Sequence, residues 1–151
     1  MKNLIFILFI FFNYSTFSKT SDVPRLTYKI IIKNALTADE NFNFVGRALI
    51  ENDYQIETKD KDFYTIKSSP REIYKSRPGS YFLTFAVKNN EIDVTGQFAC
   101  DIDLIIGVTK TDNSYSKICL RGMSGSIGRD AFIRMSEFAK KLGTEFEYIT
   151  E

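Results

Sequence analysis

Between Tyr81 and Phe98 the chain reads YFLTFAVKNNEIDVTGQF, and its period of two leaves little freedom in how it folds. Tyr81, Leu83, Phe85 and Val87 run up to Asn89-Asn90, and Ile92, Val94 and Phe98 return. A two-residue Asn-Asn turn of type I′ pairs Val87 with Ile92, Phe85 with Val94 and Tyr81 with Phe98. Every large apolar group then falls on one face, where cross-strand neighbours pack. Thr84, Lys88, Glu91, Asp93, Thr95 and Gln97 fall on the other. This segment demands a sheet with one covered face and one polar face.

The flanking segments supply the rest. LTYKIIIKN, residues 26–34, is rich in β-branched residues and reads as a first strand. Thr37 opens T-A-D-E, a capping box in which Thr37 accepts from first-turn amides while Glu40 reaches back. The helix that follows carries Phe42, Val45, Ala48 and Leu49 as its apolar stripe and ends at Asn52-Asp53. From Tyr54 the period returns to two. Tyr54 and Ile56, then Tyr64 and Ile66, form a hairpin around KDKD. Pro70 and Pro78 bracket a long loop, residues 69–79. ACDIDLIIGVT continues as strand, TDNS turns, and SKICL returns. A last helix begins near Gly128, buries Phe132, Met135, Phe138, Ala139 and Leu142, and ends at Gly143 as a left-handed C′ residue. EFEYI adds a terminal strand.

The start of the chain sets the compartment. Lys2 precedes an apolar block from Leu4 to Phe12, and Thr16 and Ser18 stand at -3 and -1 of a cleavage site. This reads as a secretory signal over residues 1–18, leaving residues 19–151 as one α+β domain exported to the periplasm or the medium. The block is far short of the ~20 apolar residues that span a bilayer, so no stable membrane insertion is expected after cleavage. The 20 basic and 19 acidic residues balance once Lys2 is removed. Nothing in that balance favours DNA or RNA.

The expected fold is an antiparallel β-sheet with two helices packed on one face, in the order β-α-β-β-β-β-(β-β)-α. This order of elements resembles the small exported bacterial domains of unknown function that have a TATA-box-binding-protein-like fold. The resemblance implies the fold and no activity, since that fold hosts unrelated functions.

The chain has no histidine, which removes the commonest general base and metal ligand. With two cysteines it also lacks the ligands for a Cys/His zinc site, and no cofactor is expected. Gly122, Gly125 and Gly128 precede the last helix, but G-x-x-G-x-x-G matches neither phosphate-binding nor dinucleotide-binding spacing, so it reads as a flexible helix entry. Asp93, Asp101 and Asp103 could serve acid/base work or calcium, although D-x-D followed by Leu104 is not a calcium loop. Ser114 to Lys117 matches S-x-x-K without its companion motifs.

In an oxidising compartment Cys100 and Cys119 are expected to pair, closing a loop of about 20 residues worth roughly 3 kcal/mol. The TDNS hairpin works against this, because it sets the two about six residues apart along the strand unless a bulge intervenes.

What remains is a binding or accessory module that contacts a protein partner or small ligand. Two surfaces qualify: the open sheet face, with Thr84, Asp93, Thr95 and Gln97, and the loop, with Arg71, Tyr74, Lys75 and Arg77, whose guanidinium forks suit carboxylates. The alternatives are a carboxylate-based hydrolase or carbohydrate-active enzyme, and a secreted enzyme inhibitor that inserts the loop into a cleft.

Overall fold

The computed structural model describes residues 23–74, 78–100 and 114–151, with Tyr74 described for its backbone alone. The expected signal segment, Lys75, Arg77, Asp101, Asp103 and the strand beyond Cys100 lie outside the described residues. In chain order the elements are β1 (Thr27–Lys33), α1 (Ala38–Glu51), β2 (Ile56–Asp60), β3 (Thr65–Ser68), β4 (Arg71–Tyr74), β5 (Pro78–Lys88), β6 (Glu91–Cys100), β7 (Ser116–Lys117), α2 (Ile127–Leu142) and β8 (Glu145–Thr150). They form the expected α+β arrangement, an antiparallel sheet with two helices on one face.

The long β5–β6 hairpin is the spine. Its register pairs Val87 with Ile92, Phe85 with Val94 and Tyr81 with Phe98, as the alternation predicts. Near the turn it is flanked by β3 on one side and β1 on the other, giving the strand order β2-β3-β5-β6-β1-β8. At its far end β4 pairs with β5, and β7 with β6. Ile30, Ile32, Ile66, Leu83, Phe85, Ile92 and Val94 build the covered face, and all are buried. Phe42, Val45, Ala48 and Leu49 of α1 and Phe132, Met135, Phe138, Ala139 and Leu142 of α2 complete the core.

Local chemistry explains the ends of α1. Thr37 Oγ1 accepts from the Glu40 amide at 3.3 Å, and the Glu40 carboxylate accepts from the Thr37 amide at 2.8 Å. These bonds satisfy amides that the first helical turn leaves without partners. At the other end Asn52 caps the helix, and Asp53, at φ 60°, turns the chain out of it.

Five expectations are corrected. First, the Asn89-Asn90 turn is not type I′, which needs φ > 0 at both residues, because only Asn90 is left-handed, at φ 63°. Tertiary bonds choose its shape: Asn89 Oδ1 accepts from the Ala38 amide, the Asn90 amide donates to the Leu36 carbonyl, and the Asn90 carbonyl accepts from the Asn34 amide. Second, Gly143 is extended at φ 174°. Glycine is required there for space, since a Cβ would lie 2.6 Å from Ile32 Cγ2. Third, the expected loop 69–79 contains a strand. Residues 71–74 pair with 78–81 of β5, matching Arg71 with Tyr81 and Ile73 with Gly79. Ile73 is buried, and Pro78 occupies the first position of its strand, where a missing N–H is tolerated.

Fourth, Cys100 and Cys119 are both free. Gln97 pairs with Lys117 and Phe98 with Ser116, so β7 runs away from Cys100 as the chain approaches Cys119. That register separates the thiols, and burial pushes the Cys119 thiol above its ordinary pKa. Fifth, the SKICL strand is shorter than expected, with only Ser116–Lys117 in β7.

Candidate functional site

The β4–β5 register sets Arg71 directly across from Tyr81. Both lie on the covered side of the sheet, near the end of α1 and beside α2. Around them opens a cleft of about 670 Å³ lined by Tyr54, Tyr81, Ile73 and Phe138 and rimmed by Arg71, Glu72, Arg134, Glu137, Lys140 and Lys141. This volume lies within the ordinary range for a ligand site.

Two phenols form its floor. The Tyr54 and Tyr81 hydroxyls are 2.9 Å apart, and the residues are only 8% and 3% exposed. Burial and the bond from Tyr54 hold the Tyr81 phenol well above its usual range, against the pull of the Arg71 and Arg134 guanidiniums. The Tyr81 phenol therefore stays protonated at any physiological pH. The Tyr54 ring packs edge-on against Phe138, centroids 4.9 Å apart.

Arg71 covers this floor. Its guanidinium carbon lies 4.2 Å over the Tyr54 ring, and the group donates one N–H to the Asn52 carbonyl at 3.2 Å. Lys141 donates to Asn52 Oδ1, and Arg134 pairs with Glu137 at 3.4 Å. Against four cations the rim carries two carboxylates, Glu72 and Glu137. The ends of α1 and α2 add about half a negative charge each. The cleft still remains positive.

The polar sheet face behaves differently. Thr84, Thr95 and Gln97 do come together there, around a smaller hollow of about 310 Å³ shared with Tyr28 and Lys117. Asp93 is on the same face but only 7% exposed, with Lys29 at 3.3 Å and Lys88 at 3.4 Å. Lys88 also reaches Glu91 at 2.9 Å, and Lys33 pairs with both Glu91 and Glu147. Three lysines face three carboxylates, so this network is compensated within itself. Asp93 is thereby committed to ion pairs rather than presented to a substrate.

No protein-family model matches the chain, and no curated protein does. Among solved structures the fold is similar to a TBP-like protein from Parabacteroides distasonis. The identity is 14% and the TM-score 0.46, over 75% of this chain and 91% of that one.

The glycine loop has a structural explanation. Gly122 and Gly125 have φ of 88° and 83°, a region that side chains rarely adopt. Gly128 lies against the Phe98 ring, where a Cβ would approach within 2.8 Å. Ser126 occupies the N-cap of α2 without donating or accepting a capping bond through its side chain, and Asp130 is buried in the first turn. An acid at that position already uses the positive end of the helix. The loop, with Cys100 and Cys119, borders a further hollow of about 750 Å³ in which Arg121 is the one charged lining residue among the described residues. Among the described residues no group of three His, Cys, Asp or Glu could hold a metal ion, and no helix is long and apolar enough to cross a membrane.

Of the eight binding residues expected from sequence, Lys75 and Arg77 lie outside the described residues and Tyr74 is described for its backbone only; among the other five, Arg71 alone lines the cleft. The sequence reading missed Tyr54, Tyr81, Arg134, Lys140 and Lys141. Arg134, Glu137 and Lys141 recur at i, i+3 and i+7, one helix face beside the apolar stripe, and that spacing was visible. The two tyrosines read as ordinary core positions.

Proposed function

We propose that this protein is an exported, non-enzymatic binding module whose working surface is the cleft between β4 and α2. The observation that carries this reading is the convergence of Arg71, Arg134, Lys140 and Lys141 over a buried pair of tyrosine hydroxyls in a cavity of about 670 Å³. The polar sheet face offers a smaller hollow and an ion network whose lysines and carboxylates balance in charge. The lack of histidine and the pairing of Asp93 support binding over hydrolysis. Export rests on the apolar block from Leu4 to Phe12.

Affinity capture from the native envelope or medium, read by mass spectrometry, tests the surface. An Arg71→Ala/Lys140→Glu variant should lose the captured species, and Thr95→Arg should retain it. The reverse pattern would move the working surface to the sheet face. Intact mass of the natively produced protein should show a start near Lys19, and a full-length cytoplasmic product would end the export reading.

A further inference from the structure

We propose, resting on the reading of the cleft as the binding surface, that it recognises a carboxylate, gripped by the Arg71 guanidinium and by the uncommitted phenolic proton of the Tyr54–Tyr81 pair. Two phenols carry two O–H protons, and the bond between them uses one. Among the described residues neither hydroxyl has another hydrogen-bond partner. One donor is therefore left at the floor of the cleft, and burial keeps the Tyr81 phenol protonated.

Arg71 supplies the complementary contact. Of the five N–H donors that a guanidinium offers, one goes to the Asn52 carbonyl. Its Cζ is held 4.2 Å over the Tyr54 ring, which limits where the fork can reach. A carboxylate has two oxygens in one plane, one for the fork and one for the phenol, and charge-assisted bonds of this kind are the strong ones. Ile73 and Phe138 provide apolar wall for the stem that carries it. Four cations, two carboxylates and two helix C-termini leave a balance near one positive charge. That balance suits a singly charged group better than a phosphate dianion.

The same chemistry comes from two sources, a small free acid or a peptide side chain. NMR titration of the intact exported protein with benzoate, with tetraglutamate and with inorganic phosphate separates them. Saturable binding of a carboxylate, weakened about tenfold or more by Tyr54→Phe/Tyr81→Phe and by Arg71→Lys, supports the assignment. The paired variant keeps both rings, and Arg71→Lys keeps the charge while removing the fork. Benzoate binding alone assigns a small acid, and tetraglutamate binding alone assigns a peptide.

Absence of saturable carboxylate binding, equal or tighter binding of phosphate, or binding indifferent to both variants overturns the proposal. Should capture of the native partner still depend on Arg71 and Lys140 in that event, the cleft remains the working surface and only the ligand class is wrong.

Discussion

Replacing Tyr54 by Phe removes one hydroxyl from a buried pair and leaves the other without its partner. The orphan is Tyr81, 3% exposed and held in the core beside Phe98. A buried polar group left unsatisfied costs about 1–3 kcal/mol, so about 2 kcal/mol is expected here. Tyr81→Phe orphans Tyr54 instead, which is 8% exposed at the floor of an open cleft. Water reaches that hydroxyl more easily, and the expected cost falls to about 1 kcal/mol. Removing both hydroxyls leaves no orphan. The double variant should therefore cost no more than about 1 kcal/mol, giving a coupling of about 2 kcal/mol between the two positions. Urea denaturation of all four proteins measures this, provided the slope with denaturant stays constant. Single costs that add within about 0.5 kcal/mol in the double variant would refute the reasoning, because they would show that the hydroxyls do not act as a pair.

Phe85 is fully buried and lies 5.5 Å from Phe138, centroid to centroid, so Phe85→Ala should cost about 3–5 kcal/mol in the same assay. Glu91, held by Lys33 and Lys88, titrates near 2 rather than 4.5. A depressed folded pKa contributes stability that is fully present above 4.5 and is lost as pH falls towards 2, so Glu91→Gln should flatten the acid limb of the stability curve within that window. Equal slopes for parent and variant there would show that the pairing is cosmetic. Gly143→Ala should destabilise by about 1–3 kcal/mol through contact with Ile32, and a change within error in thermal unfolding would mean that α2 shifts freely to make room.

The hairpin register was legible because alternation on two long strands admits one pairing that gathers all the large apolar groups. The ends of α1 were legible because capping is a matter of residues three apart in sequence. The stripe of α2 followed from helical period alone. In each case the deciding neighbours lie close in the chain.

Elsewhere the deciding neighbours are distant. The Asn89-Asn90 turn takes its shape from bonds to the entry of α1, some fifty residues away, so the dipeptide alone points to the wrong turn type. β4 is a four-residue edge strand beside proline, too short to announce a period, and it forms because β5 offers it a partner. The basic cleft shows the same division most plainly. Its charges were countable in the sequence, and Arg71 was singled out from them, yet only the β4–β5 register places Arg71 opposite Tyr81, and only the packing of α2 on the sheet brings Arg134, Lys140 and Lys141 to the same opening. Period and capping are properties of neighbouring residues and can be read in order, whereas a cleft is a property of surfaces that meet only when the core has closed.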